Sequence, residues 1–324
     1  SGEKEYTFDE MINYKEGDRG FKVKAEDTYG YITISTLPVT YKTIPGPSLT
    51  LTESTIFAGT DVKKGVSMQI ESVRGVHEVV IYRIENGSEV EALRETRSGE
   101  HTLNYAPEID FTEATSKLKV VVSDGREGKE ATGYVKAYVN MDVATLNVGS
   151  QPLANNAHEK YPDAFGMVSL NDLKTYSVDY AIANEANAKN IDFKFYCFGA
   201  AGSPRLYSMD NTGKDSEFSG STGKLSAIKV KNLTRFAILS NFDYENATVT
   251  SISSEILSSS ITQSLLDPIA VGNIIAFRTG GSSAAGGGRI GVMKVINITE
   301  PKDLVSSNAT ARVMTVEIKF PQKK

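Results

Sequence analysis

Alternation of apolar and polar residues, rich in β-branched and aromatic side chains, dominates the first part of the chain. It is clearest in the stretches GFKVKAEDTYGYITISTLPVTY, GVSMQIES, HEVVIYRI and KLKVVVSDG. A period of two residues is that of a half-buried β-strand, so each stretch predicts one or two strands. The dipeptides Asn86-Gly87 and Asp124-Gly125 follow strands and are strong signals for tight turns. Short strands at this spacing predict an immunoglobulin-like β-sandwich.

One strand pattern occurs twice in the chain. FKVKAED at 21–27 aligns with LKVVVSD at 118–124, and YTF at 6–8 aligns with HTL at 101–103. The offset of 95 to 97 residues is close to the length of one immunoglobulin-like domain. A full set of strands lies between the copies, so we predict a complete sandwich over residues 44–142.

Residues 1–43 match only the C-terminal half of that unit. Half a sandwich would expose an apolar face and unpaired strand edges, both of which are costly. We therefore expect that a longer natural chain precedes Ser1. IPGPS at 44–48 separates the partial repeat from the complete one, because two prolines interrupt a sheet.

The second domain boundary is predicted near residue 143, because residues 140–166 carry polar and turn residues with little periodicity. Residues 143–324 then form an α+β, mostly β, domain. Short helices are predicted over 177–190 and 248–261, the second from apolar residues spaced i, i+3, i+7. DPIAVGNIIAFRT, RIGVMKVINI and TARVMTVEIKF predict strands. The fold class is therefore mainly β: immunoglobulin-like sandwich repeats followed by this C-terminal domain.

Composition narrows the class of protein. The chain has 324 residues, 40% hydrophobic and 23% charged, which is typical of globular domains rather than disordered ones. Its net charge is −5 and its basic residues are scattered, so no nucleic-acid partner is expected. The single cysteine, Cys197, excludes an internal disulfide and a thiolate-rich zinc site. Its setting, DFKFYCF, predicts a buried strand residue rather than a nucleophile.

Gly286, Gly288 and Gly291 form a literal G-x-G-x-x-G. A dinucleotide fingerprint needs a helix after its glycines, and RIGVMKVINI is a strand pattern instead. A P-loop needs lysine followed by Ser or Thr, where this chain has Arg289-Ile290. We predict a β-hairpin joined by GGSSAAGGG as a mobile loop, GSTGK at 220–224 as a turn, and no cofactor.

Metal ligands are sparse. The three histidines are His77, His101 and His158, and none has a second His or Cys at ligand spacing. Only His158, which lies on an irregular segment, is a metal candidate. MDNTGKDSE holds Asp210, Asp215 and Glu217 but departs from the calcium-loop pattern at its third and fifth positions. A solvated acidic turn is favoured and calcium there stays open.

Catalytic constellations are not apparent: there is no G-x-S-x-G, and no pattern places two carboxylates across a pocket. We predict that the protein is not an enzyme and has no catalytic residue. Binding residues gather on loops of rigid scaffolds, which points to Tyr161 and Phe165 in EKYPDAFG and to Arg205 and Tyr207 in GSPRLYSMD. The alternative is that these rings pin loops to the core.

Two sets of motifs carry a family resemblance. FKVKAEDTYGYITIS and LKVVVSDGREGKEATGYV resemble the last strands of bacterial extracellular immunoglobulin-like repeats. IDFKFYCFG, SPRLYSMDN and VGNIIAFRTGG…GRIGVMKVINI resemble the C-terminal domain of Bacteroides-type surface or periplasmic lipoproteins. The chain departs from that pattern by small residues inserted between Thr279 and Arg289, and it lacks the lipobox cysteine of a lipoprotein.

The resemblance implies an exported protein, attached to the outer membrane, at the cell surface or in the periplasm, often encoded in a glycan-utilisation locus. It implies a non-catalytic binding protein, with polysaccharide or an outer-membrane protein as partner. Membrane attachment would be only through a lipid anchor outside this sequence. Two functions stay open: glycan binding, and a structural spacer or protein-partner-binding module of a surface assembly.

Overall fold

The computed structural model describes residues 20–39, 43–197, 202–299 and 311–323. Strands account for 44% of residues and helices for 10%, which confirms the mainly β class. The first described element is a hairpin of two strands that pair only with each other, β1 (Gly20–Glu26) and β2 (Ile32–Pro38). Every residue of β2 is exposed.

Ten strands follow in the first sandwich: β3 (Ser48–Leu51), β4 (Thr55–Ala58), β5 (Lys64–Gly65), β6 (Met68–Glu71), β7 (Glu78–Glu85), β8 (Ser88–Thr96), β9 (Thr102–Tyr105), β10 (Glu108–Ile109), β11 (Thr115–Ser123) and β12 (Glu130–Val139). A five-stranded sheet in the order β4-β12-β11-β7-β8 faces a three-stranded sheet in the order β3-β6-β9. Asn86 and Gly87, with φ of 50° and 82°, form the two-residue turn between β7 and β8. This confirms the predicted hairpin signal.

The internal repeat has a structural counterpart. In the hairpin β1–β2, Phe21 pairs with Leu37, as Leu118 pairs with Val135 in the hairpin β11–β12. Leu118 and Val135 are buried in the sandwich core, whereas Leu37 is 54% exposed. Among the residues that the structure describes, the first copy thus shows the strand pairing of the repeat without a facing sheet.

The C-terminal part contains β13 (Met141–Gly149), β14 (Met167–Ser169), β15 (Lys174–Tyr176), β16 (Phe193–Tyr196), β17 (Arg205–Ser208), β18 (Arg235–Leu239), β19 (Leu265–Leu266), β20 (Ile274–Arg278), β21 (Ile290–Ile298) and β22 (Val313–Pro321). They form two five-stranded sheets in the orders β13-β22-β21-β20-β18 and β15-β14-β16-β17-β19. A core of aromatic and aliphatic side chains fills the space between them, including Phe193 edge-on to Phe236 at 5.8 Å. Each such fully buried side chain stabilises the fold by about 1.5–3 kcal/mol.

Both predicted helical segments are helical. The first forms α1 (Val178–Ala183) and α2 (Glu185–Lys189), and the second forms α3 (Val249–Glu255), which starts at a capping box of Thr248 and Ser251. Val249, Ile252 and Ile256 lie on one buried face, as their spacing predicts, and pack over Val292 of β21. The sheet containing β21 is therefore covered on both faces.

The prediction of irregular structure for residues 140–166 is wrong for residues 141–149. Met141–Gly149 is a nine-residue strand in unbroken register with β22, and only Asn140 separates it from β12. Val143 packs on the α3 side of the sheet, and Leu146 packs on the opposite side. A strand covered on both faces has no clean alternation, so its sequence does not show a period of two residues.

The glycine-rich segment joins β20 to β21 in antiparallel register, which confirms the predicted hairpin. The expectation of a mobile loop is contradicted by its packing. The Ser283 hydroxyl donates to Asp192 Oδ1 at 2.6 Å, and the Ala284 N–H donates to the Lys189 carbonyl at 2.9 Å. Ala285 is only 1% exposed. Small residues serve here because the loop packs closely against the body of the domain.

Candidate ligand-binding groove

The four predicted binding residues lie in two different places. Arg205 and Tyr207 are in strand β17, not in a loop as expected. Tyr207 is 4% exposed and packs edge-on against Tyr196 at 5.9 Å. Arg205 forms an ion pair with Asp267 at 2.9 Å. The expected ligand-stacking role of Tyr207 is therefore wrong, since its ring is enclosed by the core.

Tyr161 and Phe165 lie together on the segment that leads into β14. Tyr161 is half-buried and packs against a small cluster that includes Leu153 and Ala164. Its carbonyl accepts a hydrogen bond from the Ala164 N–H at 3.0 Å. Tyr161 thus fits the alternative reading, in which a ring pins a loop, whereas Phe165 lines an open groove.

The groove has a volume of about 410 Å³ and lies between β13 and β15, the edge strands of the two C-terminal sheets. Its walls combine an aromatic ring and an aliphatic floor with hydroxyl, amide, carboxylate and ammonium groups: Thr145, Leu146, Asn147, Asp163, Phe165, Lys174 and Thr175. We call it the Phe165 groove. Its size suits a small ligand or one anchoring side chain.

Both edge strands fix the position of Phe165. Its carbonyl accepts from the Gly149 N–H at the end of β13, at 3.0 Å. Its own N–H donates to Thr175 Oγ1 of β15 at 3.3 Å, and the Thr175 hydroxyl donates to the Asp163 carbonyl. The ring is therefore presented by a backbone that is tied on both sides, which is the rigid support a binding site needs.

A second cleft, of about 630 Å³, lies at the junction of the two sandwiches. Glu113 and Asn140 line one side, and Val249, Arg289 and the glycines 286–288 line the other. The Arg289 guanidinium lies 3.9 Å from the centroid of the Phe320 ring, and burial lowers its pKa. Gly286 and Gly288, which belong to the literal G-x-G-x-x-G, therefore line a cleft. The strand pattern of the sequence did not predict this position.

The acidic turn is partly exposed, but Asp215 is not solvated as expected, because two lysines pair with it. Asp215 is 3% exposed and forms ion pairs at 2.5 Å with both Lys194 and Lys231. Burial lowers the pKa of Lys194, while Asp215 opposes that shift. Asp210 pairs with Arg235 at 2.8 Å, and Glu217 pairs with Lys214 at 2.7 Å. These cations occupy the carboxylates that a calcium ion would require.

The remaining candidate side chains lie apart from both clefts. Cys197 is fully buried, as predicted, and its N–H donates to Gln151 Oε1 at 3.2 Å. His158 Nδ1 accepts from the Lys160 N–H at 3.2 Å. His101 Nδ1 contacts the Ser72 carbonyl at 2.9 Å. Within the described ranges no three His, Cys, Asp or Glu side chains converge as metal ligands would.

In the part of the chain that the structure describes, none of the helices has the length and apolar character needed to span a bilayer. Comparison with known proteins gave no match: no family model matches the chain, and no curated protein matches it.

Proposed function

We propose that the protein is a non-catalytic structural and partner-binding module of an exported assembly, at the cell surface or in the periplasm. Its two sandwiches hold a binding surface at a fixed distance and orientation. The observation that carries the proposal is the junction, where Asn140 is the only residue between β12 and β13. The resemblance of the repeats to bacterial extracellular domains supports the location.

Backbone and side-chain bonds hold Asn140 on three sides. Its N–H donates to the Ala58 carbonyl at 2.9 Å, and its carbonyl accepts from the Gln322 N–H at 2.7 Å. Its side-chain amide donates to Glu113 Oε1 at 3.0 Å. Asn140 also has a φ of 50°, a left-handed conformation that asparagine tolerates better than most residues. The junction is therefore a fixed bend rather than a flexible linker.

Side chains from both domains enclose Lys319 beside this bend. Its ammonium lies 5.4 Å from the ring centroid of Tyr138, in β12, and 4.3 Å from that of Tyr244. It donates to the carbonyls of Tyr244 and Glu245. Glu245 in turn pairs with Lys294 at 2.7 Å and reaches across to Lys136 of the first sandwich at 3.7 Å.

A fixed junction matters for assembly. A module that is already ordered loses less conformational entropy when it binds than one whose domains move independently. Domains joined by small polar interfaces move relative to each other by default. The continuous cluster around Tyr138, Met141 and Ile252 is instead apolar, which favours one arrangement.

Distance measurements between spin labels test the proposal. Labels at Thr96→Cys and Asn297→Cys report one position in each sandwich, since both residues are exposed, and the native Cys197 is buried. We expect a single narrow distance distribution. A control with a short Gly-Ser insertion after Asn140 should broaden it. A distribution in the unmodified junction as broad as in the control would refute the proposal.

Carbohydrate binding is the second candidate function, and the composition of the Phe165 groove favours it. Sugars are bound by rings that contact their apolar faces and by polar groups that contact their hydroxyls, and the groove has both. Isothermal titration with a panel of polysaccharides tests this function. Phe165→Ala should abolish the heat of binding and Tyr134→Ala, at an exposed ring of the first sandwich, should not. Absence of heat across the panel would exclude it.

A further inference from the structure

We propose that Lys194 and Asp215 become joined by an amide bond between their side chains, a covalent cross-link that forms once folding brings the two groups together. The Lys194 Nζ lies 2.5 Å from Asp215 Oδ1. Lys194 is in β16, and Asp215 is in the acidic turn 21 residues later along the chain. Cross-linking is a modification of the protein itself and goes beyond the proposed function. Since each chain would react once, it does not make the protein an enzyme.

The protein encloses the two reacting groups. Lys194 is fully buried, and Asp215 is 3% exposed. The rings of Tyr207 and Phe218 lie beside the Lys194 ammonium, with their centroids 5.6 and 5.9 Å from Nζ. Holding two charges in such a setting is costly, and an amide bond that forms with loss of water removes both charges. Exclusion of water also protects the product from hydrolysis.

Lys194 has two features that turn a lysine into a nucleophile: removal from water and a neighbouring cation. Burial lowers the pKa of Lys194, and the nearby Lys231 ammonium lowers it further. Asp215 acts in the opposite direction, but the net shift of this pKa is downward. The Asn211 carbonyl accepts a second hydrogen bond from Nζ at 2.9 Å, which holds the nitrogen in place beside the carboxyl group. Fixed proximity of this kind replaces an encounter in solution.

Lys231 polarises the carboxyl group of Asp215. Its Nζ lies 2.5 Å from Oδ2, the second carboxylate oxygen. A cation fixed at this oxygen stabilises the negative charge that develops there when a nucleophile attacks the carboxyl carbon. The Lys231 side chain is 20% exposed, so it stays in contact with water while Lys194 does not. This difference makes Lys194 the nucleophile and Lys231 the stabilising cation.

The reaction needs no group beyond these three side chains. The Lys194 ammonium first transfers a proton to Asp215 Oδ1, which leaves an amine and a carboxylic acid. The lone pair of the amine attacks Cγ and forms the N–C bond, and the electron pair of the C=O bond moves onto Oδ2 beside Lys231. The C=O bond then forms again, the Cγ–Oδ1 bond breaks, and the hydroxyl leaves as water with a proton from the nitrogen. An ammonium and a carboxylate thus become one amide and one water molecule, and Lys231 is unchanged.

Lys319 provides a comparison within the same chain. Lys194 and Lys319 are the two buried lysines among the residues that the structure describes, and burial lowers the pKa of both. The Lys319 ammonium donates to the backbone carbonyls of Tyr244 and Glu245, whose amide resonance makes them poor electrophiles. Lys194 contacts a carboxyl group instead. The contacts therefore predict that Lys194 is modified and that Lys319 is not.

Peptide mapping by mass spectrometry tests the cross-link in the full chain, digested with trypsin after denaturation. Trypsin does not cleave after a lysine whose amine has become an amide, so residues 190–205 should stay joined to residues 215–224 in one branched peptide. Its mass should be lower than the sum of the two separate peptides by one water molecule, about 18 Da. Fragmentation of the branched peptide should locate the bond between Lys194 and Asp215. Cleavage after Lys319 should be normal, which is the matched control.

Two variants separate the covalent bond from the ion pair. Lys194→Met keeps a long side chain in the core but has no amine, so its digest should contain residues 215–224 as a free peptide. Lys231→Met keeps both reacting groups and removes the stabilising cation. Its rate of cross-linking, followed from the time of synthesis in a cell-free system, should fall at least about tenfold relative to the wild type.

Three outcomes would contradict this chemistry. Normal cleavage after Lys194 in the wild type, with residues 215–224 recovered as a free peptide, would overturn the inference and leave an ion pair. A branched peptide that carries Lys231 in place of Lys194 would overturn the choice of nucleophile, and an unchanged rate in Lys231→Met would overturn the role of Lys231. The wild-type digest decides the first point even if a variant fails to fold. The spin-label distances are measured independently, so the rigid-module proposal can fail or survive separately.

Discussion

Replacing Asp192 by asparagine should make the protein less sensitive to pH. The Asp192 carboxyl group is fully buried, and it accepts hydrogen bonds from the Ser283 hydroxyl at 2.6 Å and the Leu170 N–H at 2.8 Å. Within the described residues it makes no ion pair, so no cation compensates for its charge. Burial raises the pKa of Asp192 to about 7. This carboxyl group also ties down the glycine-rich loop.

The size and sign of the effect follow from linkage. The ordinary pKa is 3.8, and a rise to about 7 corresponds to about 4 kcal/mol. In the unfolded chain the carboxyl ionises first, so the folded protein holds the proton more tightly. The stability that the protonated Asp192 carboxyl contributes is therefore fully present below about pH 4 and is lost as the pH rises towards about 7. Asparagine has nearly the same shape and cannot ionise, so this loss should disappear.

Urea denaturation between about pH 4 and about pH 8 measures the difference. We expect the free energy of unfolding of D192N to exceed that of the wild type at the upper end and to match it at the lower end. Asp179→Asn is the control of opposite sign, because the Ser221 hydroxyl and its neighbours hold the pKa of Asp179 well below its usual range. A difference in unfolding free energy between D192N and the wild type that does not grow between about pH 4 and about pH 7 would refute the reasoning.

Three further predictions concern the core and the junction. Burial lowers the pKa of Lys319 from 10.5 to about 8, so the unfolded chain keeps this proton to a higher pH than the folded chain does. The wild type should therefore gain thermal stability as the pH rises from about 8 to about 10.5, and Lys319→Met should not. Gly291→Ala should lower the free energy of unfolding by about 1–3 kcal/mol in urea, because its Cβ would lie 2.4 Å from the ring of Phe277. Gly281→Ala, where nothing lies within 4 Å, is the control and should change stability little. Cys197 should react with a thiol reagent only when the protein unfolds, since its exposed fraction is zero, and reaction in native conditions would contradict its burial.

Much of the fold was predictable because local patterns determine it. Strands that are buried on one face alternate clearly, as in β6, and the turn at Asn86 has the left-handed conformation that an Asn-Gly pair favours. The stripe of Val249 and Ile252 predicted α3 in the same way. By contrast β13 was missed, because neighbours cover both of its faces and remove the period of two residues.

The candidate site was harder to predict, since it depends on residues that are distant in sequence. The loop of small residues gave no sign that Asp192, some ninety positions earlier, would anchor it through Ser283. The acidic turn similarly gave no sign that Lys194 would be buried against Asp215. Phe165 was identified from its loop context, but the groove around it depends on two edge strands that meet only in the folded chain.

Residual dipolar couplings of backbone amides measure most directly whether the two sandwiches form one rigid module. Couplings from β11 and β7 report on the first domain, and those from β22 and β21 report on the second. The fixed bend at Asn140 predicts that a single alignment tensor fits both sets with the relative orientation that the structure gives. Two tensors of different magnitude, with the domains reorienting independently, would contradict the account.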